Sequence, residues 1–592
     1  MRAKILLLSL GVAALAIPAI AQQATQPAPQ PATPAPAAQP PVNTAQPQPQ
    51  AGRPAQSRPR LTGLDEISVE ELDALNLPPP PPPVEYPSHA RRDPWVVGPL
   101  DPADLGFTES PWRAASGAFL STLMRRMDTP IASRWAHIAL RDALLVHARA
   151  PRDVNPVDWV AERAWLLLRM GEADAAGMLI AGVDSDRFTP KMVQVAVQSA
   201  LANADPPGLC PMEAGIRKYD PRVSELVQAM CASLGGEPES ASAQIDHARR
   251  FGRIGGIDLV LAEKVVGAGA NTGRAVTVEW DPVDHLTSWR FGLATATGMV
   301  PPDRLMADAS PRLRAYQARA PLLTAQQRLD SAKIAAGLGV FSSQSLVDLY
   351  STIFDVTDPS DLPGTDAWRL RQAFVGKDRD ARVAAIRDIL ASETAPLEHE
   401  AMRALVARAA SRVEPDSKLQ GDAPELISAM LAAGYDREAA RWGPLVEGMD
   451  DANSDRCWAM LVLAAPTTRG LQVSTGRLNS FINRDKSAGK VRSSLLVAGL
   501  AGLGRINERT ADSLNRRYGF GLGRRSSWTK MIDGATRLGQ PGTVLVMTGT
   551  GMQTSSFTGV PAGHLYRSVA ALRRTGQDFT ARMIAAEALS RT

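Results

Sequence analysis

From Asp104 onward, apolar residues recur at i, i+3, i+4 and i+7, with Ala and Leu dominant. "WAHIALRDALLVHARA" (Trp135–Ala150) and "WVAERAWLLLRM" (Trp159–Met170) carry the pattern, which gives a helix one side to bury. Alternating β-branched runs are scarce. "RAVTVEW" (Arg274–Trp280) is the best strand candidate and "TVLVM" (Thr543–Met547) the second. The patterning therefore predicts an all-α fold.

Glycines punctuate the helical runs in a recurring way. Gly171 is followed five residues later by Ala176, Gly236 by Ala241, Gly376 by Ala381, Gly434 by Ala439 and Gly576 by Ala581. Glycine ends a helix because it takes the left-handed conformation without strain. Asp, Glu or Ser then opens the next helix as a cap, and the alanine lets the two helices approach closely. The step "GEADAA", repeated as "GYDREAA", resembles the Gly-x-x-x-x-Ala turn of tetratricopeptide repeats. The resemblance implies an α-superhelix of degenerate helix-hairpin repeats whose concave surface binds a protein or an extended peptide. The glycines stand 65, 140, 58 and 142 residues apart, and the family's other marker positions are not consistently filled. An irregular α-helical domain is the alternative.

The first residues have a different character. Arg2 and Lys4 precede the apolar run Ile5–Ile17, and Ala19-Ile20-Ala21 has the small-x-small form of a cleavage site, so residues 1–21 read as a secretory signal peptide. No cysteine follows the cut, and no later apolar run is long enough to span a membrane, so a soluble, exported chain in a bacterial periplasm is expected. Residues 22–103 read as a disordered Pro-rich linker. As far as Arg60 it is almost entirely Pro, Ala and Gln, too poor in large apolar residues to order itself. Ser68 and Glu71 have capping-box spacing for a short acidic helix over 68–76, and Pro78–Pro83 impose polyproline II over 78–83. This arm is either a stiff spacer or a docking motif held away from the body.

Charge divides what remains into an acidic helical-repeat region, 104–468, and a basic helical region, 469–592. The net charge of +4 conceals 19 Lys+Arg against 6 Asp+Glu from Arg469 onward. Arg492, Arg505, Arg509, Arg516, Arg517, Arg524, Arg525 and Lys530 cluster among Tyr518, Phe520 and Trp528. In a periplasm such a patch suits peptidoglycan, an anionic lipid or glycan, or an acidic protein, and not nucleic acid. The alternative is internal pairing with the acidic region. Cys210 and Cys231, 21 residues apart with turn signals between them, are expected to form a disulfide in an oxidising compartment, leaving Cys457 as a buried thiol.

Catalytic patterns are thin. "LEHEA" (Leu397–Ala401) lacks the second histidine of a helical zinc site. "DPVDH" (Asp281–His285) reads as a helix start, with Asp281 as the cap and Pro282 in the first turn. "VLVMTGTGMQT" (Val544–Thr554) has Thr554 where a dinucleotide fingerprint needs its third glycine. "TES" (Thr108–Ser110) lacks the segments that accompany the catalytic glutamate of lytic transglycosylases. No catalytic, cofactor or metal residue is assigned. The expectation is a non-enzymatic envelope scaffold or assembly factor that binds another protein or peptide, with a wall-, glycan- or lipid-binding module second and an enzyme with an unrecognised site third.

Overall fold

A computed structural model describes residues 87–107, 110–112, 114–127, 130–252, 254–270, 277–307 and 309–592. The signal segment, the linker up to residue 86 with its helix 68–76 and polyproline 78–83, and residues 274–276 and 108–109 lie outside these. Twenty-seven α-helices make the described part an all-α structure. The first five are α1 (Gly117–Arg126), α2 (Arg134–Leu145), α3 (Pro156–Met170), α4 (Ala173–Ala181) and α5 (Pro190–Ala202). Next come α6 (Glu213–Tyr219), α7 (Pro221–Leu234), α8 (Pro238–Phe251), α9 (Ile257–Gly269) and α10 (Ser288–Thr295). The middle of the chain supplies α11 (Asp303–Ala307), α12 (Pro311–Arg319), α13 (Ala325–Leu338), α14 (Ser343–Val356), α15 (Asp366–Val375), α16 (Arg379–Ala391), α17 (Pro396–Ser411), α18 (Ala423–Ala432), α19 (Asp436–Ala440) and α20 (Asp451–Ala464). The last seven are α21 (Thr475–Arg484), α22 (Val491–Gly502), α23 (Glu508–Tyr518), α24 (Ser527–Arg537), α25 (Pro541–Gly551), α26 (Ala562–Arg574) and α27 (Asp578–Ser590).

Four of the five glycine turns share one geometry. Gly171, Gly236, Gly434 and Gly576 have φ between 81° and 89°. At each, the glycine N–H bonds back three residues and the next N–H bonds back five, as in Gly171→Leu168 (3.0 Å) and Glu172→Leu167 (2.9 Å). This closes the carbonyls left open at the end of a helix. Their alanines Ala176, Ala241, Ala439 and Ala581 are fully buried. Gly376 differs: its φ is −50°, its chain runs on extended, and Ala381 is half-buried. It is also the one turn where the expected acidic cap forms, Asp378 accepting from Ala381 N at 2.7 Å. At the others the cap position makes no side-chain bond, and the acids Asp174, Glu239, Asp436 and Asp578 sit in the first turn, where the helix dipole favours them.

Three local expectations are corrected. Thr543–Met547 lies within α25, not in a strand: Thr543, Val544, Leu545, Val546 and Met547 are all buried among α2, α24 and α26, and burial on every side overrides β-branched preference. Asp281-Pro282 forms a turn instead of opening a helix. Val283 is buried there and Arg304 holds its carbonyl at 2.7 Å, so α10 starts later, with Thr287 as its cap. The linker ends before 103. Val96–Val97 (β1) pairs antiparallel with Ala148–Arg149 (β2), the sole sheet among the described residues, and Arg163 donates to the Val97 carbonyl at 2.8 Å.

Two apolar cores follow. The larger, here the body, draws residues from both sides of position 468, so the change in charge is not a structural boundary. The smaller, the lobe, runs from Val193 to Ala294, contiguous in sequence. Helix α5 belongs to both: Met192, Val195 and Ala202 face the body, while Val193, Ala196, Ala200 and Leu201 face the lobe.

Helix α2 closes the body. Ser133 caps it, and Glu587 of α27 accepts from Ser133 Oγ (2.5 Å), Arg134 N (2.7 Å) and Trp135 N (3.2 Å), a carboxylate placed on a helix N-terminus. Arg591 pairs with Glu587 at 2.7 Å. The buried Arg134 guanidinium donates to the carbonyls of Ala336 (2.8 Å) and Ala432 (2.6 Å), next to the C-terminal ends of α13 and α18. Parts of the chain hundreds of residues apart thus meet around one helix.

Candidate functional site

Cys210, in the 3-10 turn Pro206–Met212, and Cys231, on α7, have their sulfurs 2.08 Å apart across a Cα–Cα distance of 5.6 Å. The bridge lies in the lobe. Cys457 is buried on α20, and burial pushes its thiol up to about 12.

The eight cations of the basic patch divide. Arg505 is half-buried and donates to the carbonyls of Val462 and Ala465 at the end of α20, the latter at 2.6 Å, which is a helix-closing role. Arg492 is also half-buried, and desolvation lowers its basicity. Arg509, Arg516, Arg517, Arg524, Arg525 and Lys530 are exposed. Internal pairing with the acidic region is made by other residues: Arg477 and Arg484 hold Asp455 (2.5 and 2.8 Å), and Arg582 holds Asp436 (2.6 Å).

Sequence spacing did not point to the cavity beside α3. It is a cleft of about 750 Å³ between body and lobe. Trp165 of α3 forms one wall. Val197 and Leu201 of α5, Ile216 and Tyr219 of α6, Val223 of α7 and Trp289 of α10 supply the rest of its apolar surface. Glu162, Trp165 and Arg169 share one side of helix α3 at three- and four-residue spacing. Glu162 is buried at the rim, neutralised by Arg125 at 2.8 Å and by Lys191. Arg169 closes the end of α1 through the carbonyls of Met124, Arg125 and Met127. Trp289 is fixed by its indole N–H to the Asp258 carbonyl (3.1 Å), and its neighbour Arg290 grips the Asp258 carboxylate bidentately.

Trp165, Gln198 and Ser288 also line a second cavity of about 280 Å³, so the two adjoin at these side chains. This second part is polar, with Arg304, Arg312, Tyr316 and His285. Burial raises the Tyr316 phenol well above its ordinary range, with Arg312 opposing, so it remains a donor, here to the Leu168 carbonyl. His285 stacks no ligand set: it meets Asp284 at 2.5 Å on an exposed turn. Among the described residues, no three His, Cys, Asp or Glu side chains converge as a metal site would require. None of the described helices is long and apolar enough to cross a membrane.

The arrangement is an apolar cleft, with Trp289 fixed in its wall, beside a polar pocket bordered by Arg169, Arg304 and Arg312. Its volume is in the range of ligand and peptide sites. Comparison of the chain with protein-family models, curated proteins and solved structures finds no match.

Proposed function

We propose that the chain is an exported, non-enzymatic scaffold or assembly factor, built on tetratricopeptide-like helix hairpins, that binds a peptide segment of another envelope protein in the cleft between body and lobe. The apolar cleft, with the arginine-bearing pocket adjoining it at Trp165, Gln198 and Ser288, carries this reading. An extended or helical segment would bury apolar side chains on Trp165, Val223 and Trp289 and place an acidic or C-terminal group against Arg312. The buried carboxylate of the apolar cleft, Glu162, is already engaged by Arg125 and Lys191, and Arg169 of the adjoining pocket by three carbonyls, which favours binding over chemistry.

Panning residues 22–592 against a random peptide library tests the proposal. Enrichment of apolar peptides with an acidic residue at one end is expected. Val223→Glu should abolish their binding and Arg516→Gln should leave it intact. Enrichment that survives Val223→Glu, or no enrichment at all, would overturn the reading.

A further inference from the structure

Arg477 and Arg484 are paired with Asp455 and Arg582 with Asp436, and a second group of cations lies on α24 and α26 and just before α24. Between these helices runs a groove of about 430 Å³. Arg525, Lys530, Arg537, Arg567 and Arg574 line it, against the single carboxylate Asp533, which is already paired with Arg567. Arg525, Lys530 and Arg574 have no ion-pair partner among the described residues. The order within the groove follows from helical spacing. Lys530 and Arg537 are seven residues apart on α24, and Arg567 and Arg574 are seven apart on α26. Seven residues is two turns, so each helix sets a cation at either end of a stretch of about 10 Å. Ala570 and Ala571 stand between them on α26 and add no bulk that would fill the groove. With Arg567 paired to Asp533, the other four like charges repel one another, and a compact polyanion relieves that repulsion.

We infer that this groove is a binding site for a ligand carrying two or more phosphoryl groups. Guanidinium forks match phosphate oxygens in pairs, and a ligand of this kind concentrates enough charge to meet cations at both ends of the groove at once. A single phosphate reaches only one end. The inference is independent of the peptide cleft, from which it shares no residue.

Two probes at fixed ionic strength test it and separate the two sources of such a group: inorganic tripolyphosphate for a free ligand, and phosphatidylcholine vesicles with and without cardiolipin for a lipid headgroup. The variants are the double substitution Lys530→Gln with Arg574→Gln, inside the groove, and Arg516→Gln with Arg517→Gln on α23, outside it. All four side chains are exposed, so both variants should melt as the parent does without probe. A groove site predicts that at least one probe binds, about tenfold more weakly to the first variant and unchanged for the second. The probe that behaves so names the source. Binding of neither probe, or equal weakening by both variants, would show only a diffuse positive surface and overturn the assignment.

Discussion

The body and the lobe solve the same problem by opposite means. The body is closed by a contact between residues 454 apart, Ser133 with Glu587, in a buried network of charge and backbone. The lobe is contiguous in sequence and is closed by a covalent bridge only 21 residues long. A large core can bear the desolvation of a buried ionic network because its geometry is fixed from several sides. A small core gains more from a staple, which restricts the unfolded chain whatever the packing. The cleft lies between the two, on helix α5, whose opposite faces belong to each.

Removing the closing carboxylate should break the comparison most. Glu587→Ala removes the carboxylate that pairs with Arg591 and sits on the α2 N-terminus, leaving Glu400 as the anion acting on Arg134 and Arg591, and the loss of stability should be about 3–5 kcal/mol. Urea unfolding measures it, and hydrogen exchange locates it. Amides of α2 and α27 should lose protection while those of α7 and α8 keep theirs. A loss below about 1 kcal/mol would show that the network does not close the body.

Opening the staple should have the mirror effect. The double substitution Cys210→Ser with Cys231→Ser should cost the lobe roughly 3 kcal/mol by the loop-entropy relation. Here α7 and α8 amides should exchange faster and those of α2 should not. Equal acceleration in both regions would mean that lobe and body unfold as one unit.

Acid should act on the body, and more gently. Glu425 on α18 is partly desolvated, which would raise its pKa, but hydrogen bonding to His399 and the charges of Arg403 and Arg456 hold it far below the usual carboxylate range. A depressed native pKa gives stability that is complete above the unfolded value of 4.5 and is lost as the pH falls below it. Stability measured from pH 7 to 3 should therefore decline below about 4.5, and Glu425→Gln should flatten that decline. An unchanged slope in the variant would assign the acid response to other groups.

Much of the fold could be read from local pattern, because helix periodicity and left-handed glycines are local properties. The alanine of the repeat step was the less informative half. Gly339, Gly504 and Gly539 make the same pair of backbone bonds as Gly171, yet none is followed at the fifth position by alanine. The turn depends on the glycine, and the alanine reports only how closely the next helix packs. Gly376 keeps the spacing but makes a different turn, because Asp378 caps the following helix directly. Thr543–Met547 misled because a fully buried helix has no polar stripe and so no periodicity to read.

The candidate sites were legible to different degrees. The basic patch could be read as composition, but nothing in "GLGRINERT" separates Arg505, spent on backbone carbonyls, from the exposed Arg509. The groove beside it needed Arg567 and Arg574, which lie past the cluster in sequence. The cleft is built from six helices and a turn, and only their packing brings Trp165 beside Val223 and Trp289. One signal was present: Glu162, Trp165 and Arg169 set a large aromatic residue between two charged ones along one side of α3.

The contact between α2 and α27 also has a consequence in time. Ser133 is synthesised long before Glu587, and at about 5–20 residues per second the interval is roughly 20–90 s. From Ala294 onward the lobe has all its core residues and can pack and oxidise, while the N-terminus of α2 still lacks the Glu587 carboxylate. Completion of the body is thus a late event set by arrival of the last helix, and during it the unfinished apolar surfaces belong to the larger core and not to the smaller one.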